Sequence, residues 1–137
     1  VAWGGAGSIA AHMAEVFIQN NPTGNVSLML VDDPSGGGTA QATATATFTG
    51  APTAAGFVRI IVGGRRVNVP VANGDTLAAI ATRVAAAVMA RTDLSVTATA
   101  AAGVVTFTTK HRGALANAQA LIVNQLPDEP LPAGLAC

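Results

Sequence analysis

Gly56-Phe57-Val58-Arg59-Ile60-Ile61-Val62 runs into Gly63-Gly64, and Arg65-Arg66-Val67-Asn68-Val69-Pro70-Val71 runs out again. Two glycines between β-rich runs predict a tight hairpin, because the primed turns need positive φ and glycine reaches it without steric cost. With Gly63-Gly64 as the loop, Ile60 falls opposite Val67 and Val58 opposite Val69. One face is then aliphatic, while Arg59, Arg66 and Asn68 share the other with Phe57, Ile61 and Pro70. A slip of one residue would scramble that sorting, so the register is specified by the pattern.

Working outward, Asp75 is placed to cap a helix over residues 76–91, whose Leu77, Ile80, Ala81, Val84 and Val88 form one stripe. At the standard rise its length is about 24 Å, enough to lie across a small sheet. Leu94-Ser95-Val96-Thr97-Ala98-Thr99-Ala100 then alternates, and Val104-Val105-Thr106-Phe107-Thr108-Thr109 returns. Taking Ala102-Gly103 as the turn sets Ala98 against Phe107 and Ala100 against Val105. Residues 56–113 thus form a ββαββ unit in which one helical stripe covers two apolar hairpin faces.

Upstream, Ser8 is a plausible cap for a helix marked by Ile9, Met13, Val16 and Phe17 and ending near Asn20. The apolar run Val26-Ser27-Leu28-Met29-Leu30-Val31, closed by Asp32-Asp33, reads as a strand buried on both faces of an α/β sheet. Pro34-Ser35-Gly36-Gly37-Gly38 is a flexible linker. Beyond it Ala42-Thr43-Ala44-Thr45-Ala46-Thr47-Phe48-Thr49 alternates as a strand with a small-residue inner face. Residues 119–126 read as a further strand, with helix as the alternative. The fold class expected is α+β: an antiparallel β-rich module, ββαββ plus flanking strands with a helix packed on the sheet, preceded by a helix–strand α/β fragment. The division expected is 1–33, 34–126 as an inserted unit, and a proline-rich exit over 127–137. Both ends read as cuts through a longer protein.

Only 10% of the 137 residues are charged, against roughly 25% in an ordinary soluble domain, a surface that favours association with neighbours. Formal net charge is zero but unevenly spread. All seven basic residues (Arg59, Arg65, Arg66, Arg83, Arg91, Lys110, Arg112) lie in the central unit, with Asp75 and Asp93 as its acids. The flanks carry Glu15, Asp32, Asp33, Asp128 and Glu129. A nucleic-acid face is disfavoured because aromatic stacking positions are lacking, so the arginines are expected to solubilise exposed faces. A single cysteine, Cys137, excludes an internal disulfide, and no run of 18 apolar residues marks a membrane span. The N-terminus has no signal-peptide pattern.

The candidate chemical constellations are thin. Gly5-Ala6-Gly7-Ser8-Ile9-Ala10 matches the G-x-G-x-x-A of a nucleotide-binding fragment, before a strand that ends in Asp32-Asp33, but no full strand precedes it and no second βαβ follows, so this alternative is disfavoured. His12 and Glu15 share a helix face, yet the third ligand a metal requires, such as His111 or Asp32, is not placed nearby by the spacing. Ser8 with His12 and Asp32 lacks a nucleophile-elbow context. Cys137 sits in a tail, and Arg65-Arg66 and Lys110-His111-Arg112 sit at a turn and a strand end. No catalytic, cofactor-binding or metal residues are assigned. The expectation is a non-enzyme without cofactors.

The layout resembles the tail sheath proteins of Mu-like contractile phages and prophages. The resemblance rests on Gly7-Ser8 opening a helix that ends Asn20-Asn21-Pro22, and on the run from Val26 closed by two acids. It continues through Gly63-Gly64-Arg65-Arg66-Val67, Gly74-Asp75-Thr76 before an alanine-rich helix, Val104-Val105-Thr106-Phe107-Thr108, Lys110-His111-Arg112-Gly113 and Asn117. Ala116 departs from the pattern, which has glycine there. It covers nearly all of this chain but one part of a full subunit. The resemblance implies a structural fragment of a contractile sheath, in which a core domain and terminal arms build the lattice and inserted domains protrude. It places residues 1–33 in the core and 34–126 outward. The implied partners are neighbouring sheath subunits and the tail tube, with no nucleic acid and no membrane. The implied location is the virion, with assembly in the host cytoplasm, and the fragment alone should be monomeric. The competing reading is a β-rich adhesion or carbohydrate-binding module, disfavoured because Trp3 is the one Trp and Tyr is absent.

Overall fold

A computed structural model describes residues 8–25, 40–124 and 128–137. The expected strand at Val26–Val31, Asp32-Asp33, the glycine linker, and Gly5-Ala6-Gly7 lie outside the described residues. Helix α1 (Ile9–Asn20) is followed by β1 (Gln41–Thr47), β2 (Gly56–Val62), β3 (Arg65–Val71), α2 (Leu77–Met89), β4 (Val96–Ala101), β5 (Val104–Arg112), the single turn α3 (Ala114–Asn117) and β6 (Leu121–Val123). The strands form two antiparallel three-stranded sheets, in the orders β1-β5-β4 and β3-β2-β6. This is the α+β class expected.

The first hairpin has the register the alternation demands, with Val58 opposite Val69 and Ile60 opposite Val67. Gly63 and Gly64 turn it with φ of +54° and +79°, the left-handed pair of a primed turn. In the second hairpin Ala98 faces Phe107 and Ala100 faces Val105, as expected. Its turn residues Ala102 and Gly103 both have positive φ, +47° and +88°.

The inner faces of both hairpins and the α2 stripe make one core. Val58, Ile60, Ile80, Val84, Val88 and Val105 are fully buried within it, and α2 packs on β4, β3 and β5. Burying each such side chain contributes roughly 1.5–3 kcal/mol against the conformational entropy lost on folding. Leu77 sits partly buried at the edge of the core.

Three local expectations are corrected. Thr76, not Asp75, caps α2: its hydroxyl accepts from the Ala79 amide at 3.2 Å. Asp75 instead folds back to accept from the Ala72 amide at 2.6 Å and pairs with Arg83, closing the turn before the helix. The helix ends at Met89 rather than at 91, and the strand expected over 119–126 is β6, Leu121–Val123, laid antiparallel on β2. Ala116, where a glycine was expected, is 2% exposed inside α3. An alanine there fills space that a glycine would leave open.

Residues 128–137 return along the module. Thr49 and Ala136 exchange backbone hydrogen bonds at 2.9 and 2.8 Å, and Thr53 donates to the Ala133 carbonyl at 2.7 Å. Leu135 enters the core at 6% exposure and Leu131 packs against it.

Candidate functional site

The charged residues are joined across the chain rather than left to solvent. Arg59, Arg65, Arg66, Arg83 and Arg91 each meet a carboxylate. These partly exposed arginines also form ion pairs, with Glu15 and Glu129 of the flanks and with Asp75 and Asp93 of the centre. Lys110 is spent differently, donating to the Thr92 carbonyl at 3.1 Å.

On the outer face of the first hairpin, Arg59 and Arg66 lie on neighbouring strands and both reach Glu129 of the returning segment. Arg59 also stands over the Phe57 ring, 5.6 Å from its centroid. Asn124 locks the junction, accepting from the Arg59 amide at 2.6 Å and donating to the carbonyls of Phe57 and Glu129. It takes a positive φ of +41° to do so.

The second cluster centres on Arg65 at the start of β3. Its Nη1 donates to Asp93 Oδ2 at 3.0 Å, and its Nη2 to Glu15 Oε2 at 2.8 Å. The same Nη2 lies 3.2 Å from His12 Nδ1. Arg91 holds Asp93 from the other side with two hydrogen bonds of 2.8 Å, and its remaining nitrogen donates to the Arg66 carbonyl. The Arg91 guanidinium keeps the Asp93 carboxyl far below the usual carboxylate range, against the opposing effect of partial desolvation. Asp75 is lowered in the same way by its hydrogen bond from Arg83.

The other residues weighed from sequence fall apart as a chemical site. Ser8 caps α1, accepting from the Ala11 amide at 3.1 Å. His12 and Glu15 are brought together, as their spacing requires, but the group placed with them is a guanidinium, not a third ligand. Among the described residues no group of His, Cys, Asp and Glu is arranged to hold a metal ion. His111 lies in the irregular end of the β1–β5 pairing, with both ring nitrogens buried and without a protein partner. Cys137 is exposed, and partial desolvation pushes its thiol up, away from the thiolate a nucleophile needs. A cavity of about 200 Å³ opens between the sheets, lined by Val62, Phe107, Leu121, Thr109 and Gln119 among others. Gln119 Oε1 is buried there without a protein donor. Such a mixed lining suits ordered water.

What the geometry offers is charged stitching and surface. On α1, Met13, Val16, Phe17 and Ile18 are exposed, and on the first hairpin Phe57 is. Comparison with known proteins adds what the geometry does not: the chain is 32% identical over 132 residues to the Mu-like prophage FluMu tail sheath protein of Haemophilus influenzae. The chain is homologous to part of a Mu-like tail sheath protein. The alignment takes in 96% of this chain and 26% of the sheath protein, so the chain spans about a quarter of its relative's length. No protein-family model matches.

Proposed function

We propose that this chain is a structural piece of a contractile phage tail sheath, contributing an outward-facing domain to a sheath that contracts around the tail tube during DNA delivery. In this reading residues 34–126 form the protruding domain and residues 1–33 belong to the sheath core. Residues 128–137 pack along the module. Neighbouring sheath subunits and the tail tube are the partners of the whole protein, and the virion is its location. The role is mechanical, without catalysis, cofactor or nucleic acid. The observation that carries the reading is the similarity to a named sheath protein over nearly the full chain.

The β-rich module supports it physically. Its core is closed without α1, so it can stand out from a lattice as a unit. A test is to raise Fab fragments against the folded chain and image intact tails bearing the parent protein. Regular decoration of the outer sheath surface is expected, before and after contraction. Tails that take up Fab only after disruption would overturn the outward placement. The isolated chain, lacking the lattice-forming parts of the subunit, should scatter light as a 13.5 kDa monomer; tubular polymers would contradict it.

A further inference from the structure

We propose that Arg65 is a reversible clasp that holds helix α1 to the β-rich module, so that the two can part and re-engage while the module stays folded. Two sets of observations meet here. The first concerns what does not hold α1. Among the described residues none of α1 belongs to the core cluster, and among the described elements it shares no extended packed face with a strand or helix. Met13, Val16, Phe17 and Ile18 are open to solvent, Met13 at 63% and Phe17 at 44%, while buried Ala14 lies outside the core.

The second concerns what does hold it. The polar face of α1 presents His12 and Glu15, one turn apart, to a single guanidinium. Arg65 is itself fixed from the module side. It follows the Gly63-Gly64 turn in a hydrogen-bonded strand, and Asp93, pinned by Arg91, orients its other nitrogen. One arginine of β3 therefore joins α1 to the α2–β4 connection, with a rigid half in the module and a detachable half on the helix. The planar fork of arginine suits this double engagement, which a lysine ammonium would serve as a point charge alone.

The side chains of Arg65 and Glu15 are 31% and 52% exposed. Ion pairs this accessible contribute little each and weaken with salt. The linkage is thus strong enough to bias the helix position and weak enough to break while the module core stays closed. The inference does not depend on the sheath reading. Within that reading, it gives the protruding domain a breakable attachment to the helix beneath it.

Hydrogen exchange on the isolated chain tests the idea. Arg65→Ala and Glu15→Gln should each raise exchange of the α1 amides by roughly fivefold, the equivalent of one partly exposed charged contact. Arg65→Lys should fall between them and the parent, and 1 M NaCl should move the parent the same way. Amides of β2, β3 and α2 should be unchanged in Glu15→Gln, which touches the helix side alone. Unaltered α1 exchange in Glu15→Gln, or equal losses in α1 and the module, would overturn the clasp. Failure of the Fab decoration with this pattern intact would count against the sheath placement and leave the clasp standing.

Discussion

Asp93 shows how much of this molecule's electrostatics converges on single side chains. It accepts from Arg91 and Arg65 and is held ionised far below an ordinary aspartate. A carboxyl whose folded pKa is depressed contributes stability that is complete above its unfolded value, near 3.8, and is lost as pH falls through that value toward the folded one. Its side chain is about one-third exposed, so solvent screening limits the contribution to roughly 1 kcal/mol or less. Asp93→Asn should therefore melt a few degrees below the parent at pH 7, and the gap should narrow from pH 4 to pH 2 as the pH falls below the unfolded value. Thermal unfolding followed by circular dichroism at pH 7, 4 and 2 decides it. A gap that is the same at pH 2 would show that Asp93 acts through packing instead of charge.

At the scale of elements, the hairpins were the most legible part of the chain, for a physical reason. Period-two alternation and a glycine turn fix which residues face each other, and a wrong register exposes every valine. Ile60 against Val67 and Ala98 against Phe107 followed from that alone. The α2 stripe was legible for the same reason at period 3.6, whereas its cap was not. Asp75 and Thr76 are both good caps, and the choice was made by Arg83 and the Ala72 amide, which draw Asp75 away. Sequence spacing also missed the stitching of Arg65 to Glu15 and of Arg59 and Arg66 to Glu129, because ion pairs carry no periodicity. The charge asymmetry between centre and flanks was the available signal. The second turn suggests its own experiment. Ala102 occupies the left-handed region, at a cost of roughly 1 kcal/mol for an L side chain, in a position where primed turns favour asparagine. Ala102→Asn should raise the melting temperature by several degrees, and a fall would mean that the alanine methyl packs to better effect than the turn geometry indicates.

For the molecule as a whole, the decisive contact is between residues far apart in the chain. The returning segment closes the module where β1 runs out, with Thr49 bridged to Ala136 and Leu135 set into the core. This closure was the least legible feature, since Pro130-Leu131-Pro132 reads locally as an extended exit and nothing periodic marks Leu135. It depends on two backbones passing at close range. Gly134 has φ +83°, and a Cβ there would run into the Ala51 carbonyl. Gly50, at φ +74°, faces the Gly134 carbonyl in turn. Gly134→Ala therefore meets both backbone strain and a clash that no side-chain rotation relieves, and should cost about 1–3 kcal/mol. Leu135→Ala removes the apolar anchor and should cost about 2–3 kcal/mol. If the segment is integral to the module, both variants should lower the midpoint of a single cooperative urea transition without lowering its slope. If it is an appendage, the transition should hold its midpoint while proteolysis trims the chain near residue 128. The first outcome is expected, because Leu135 shares its contacts with the core that the two hairpins and α2 build together.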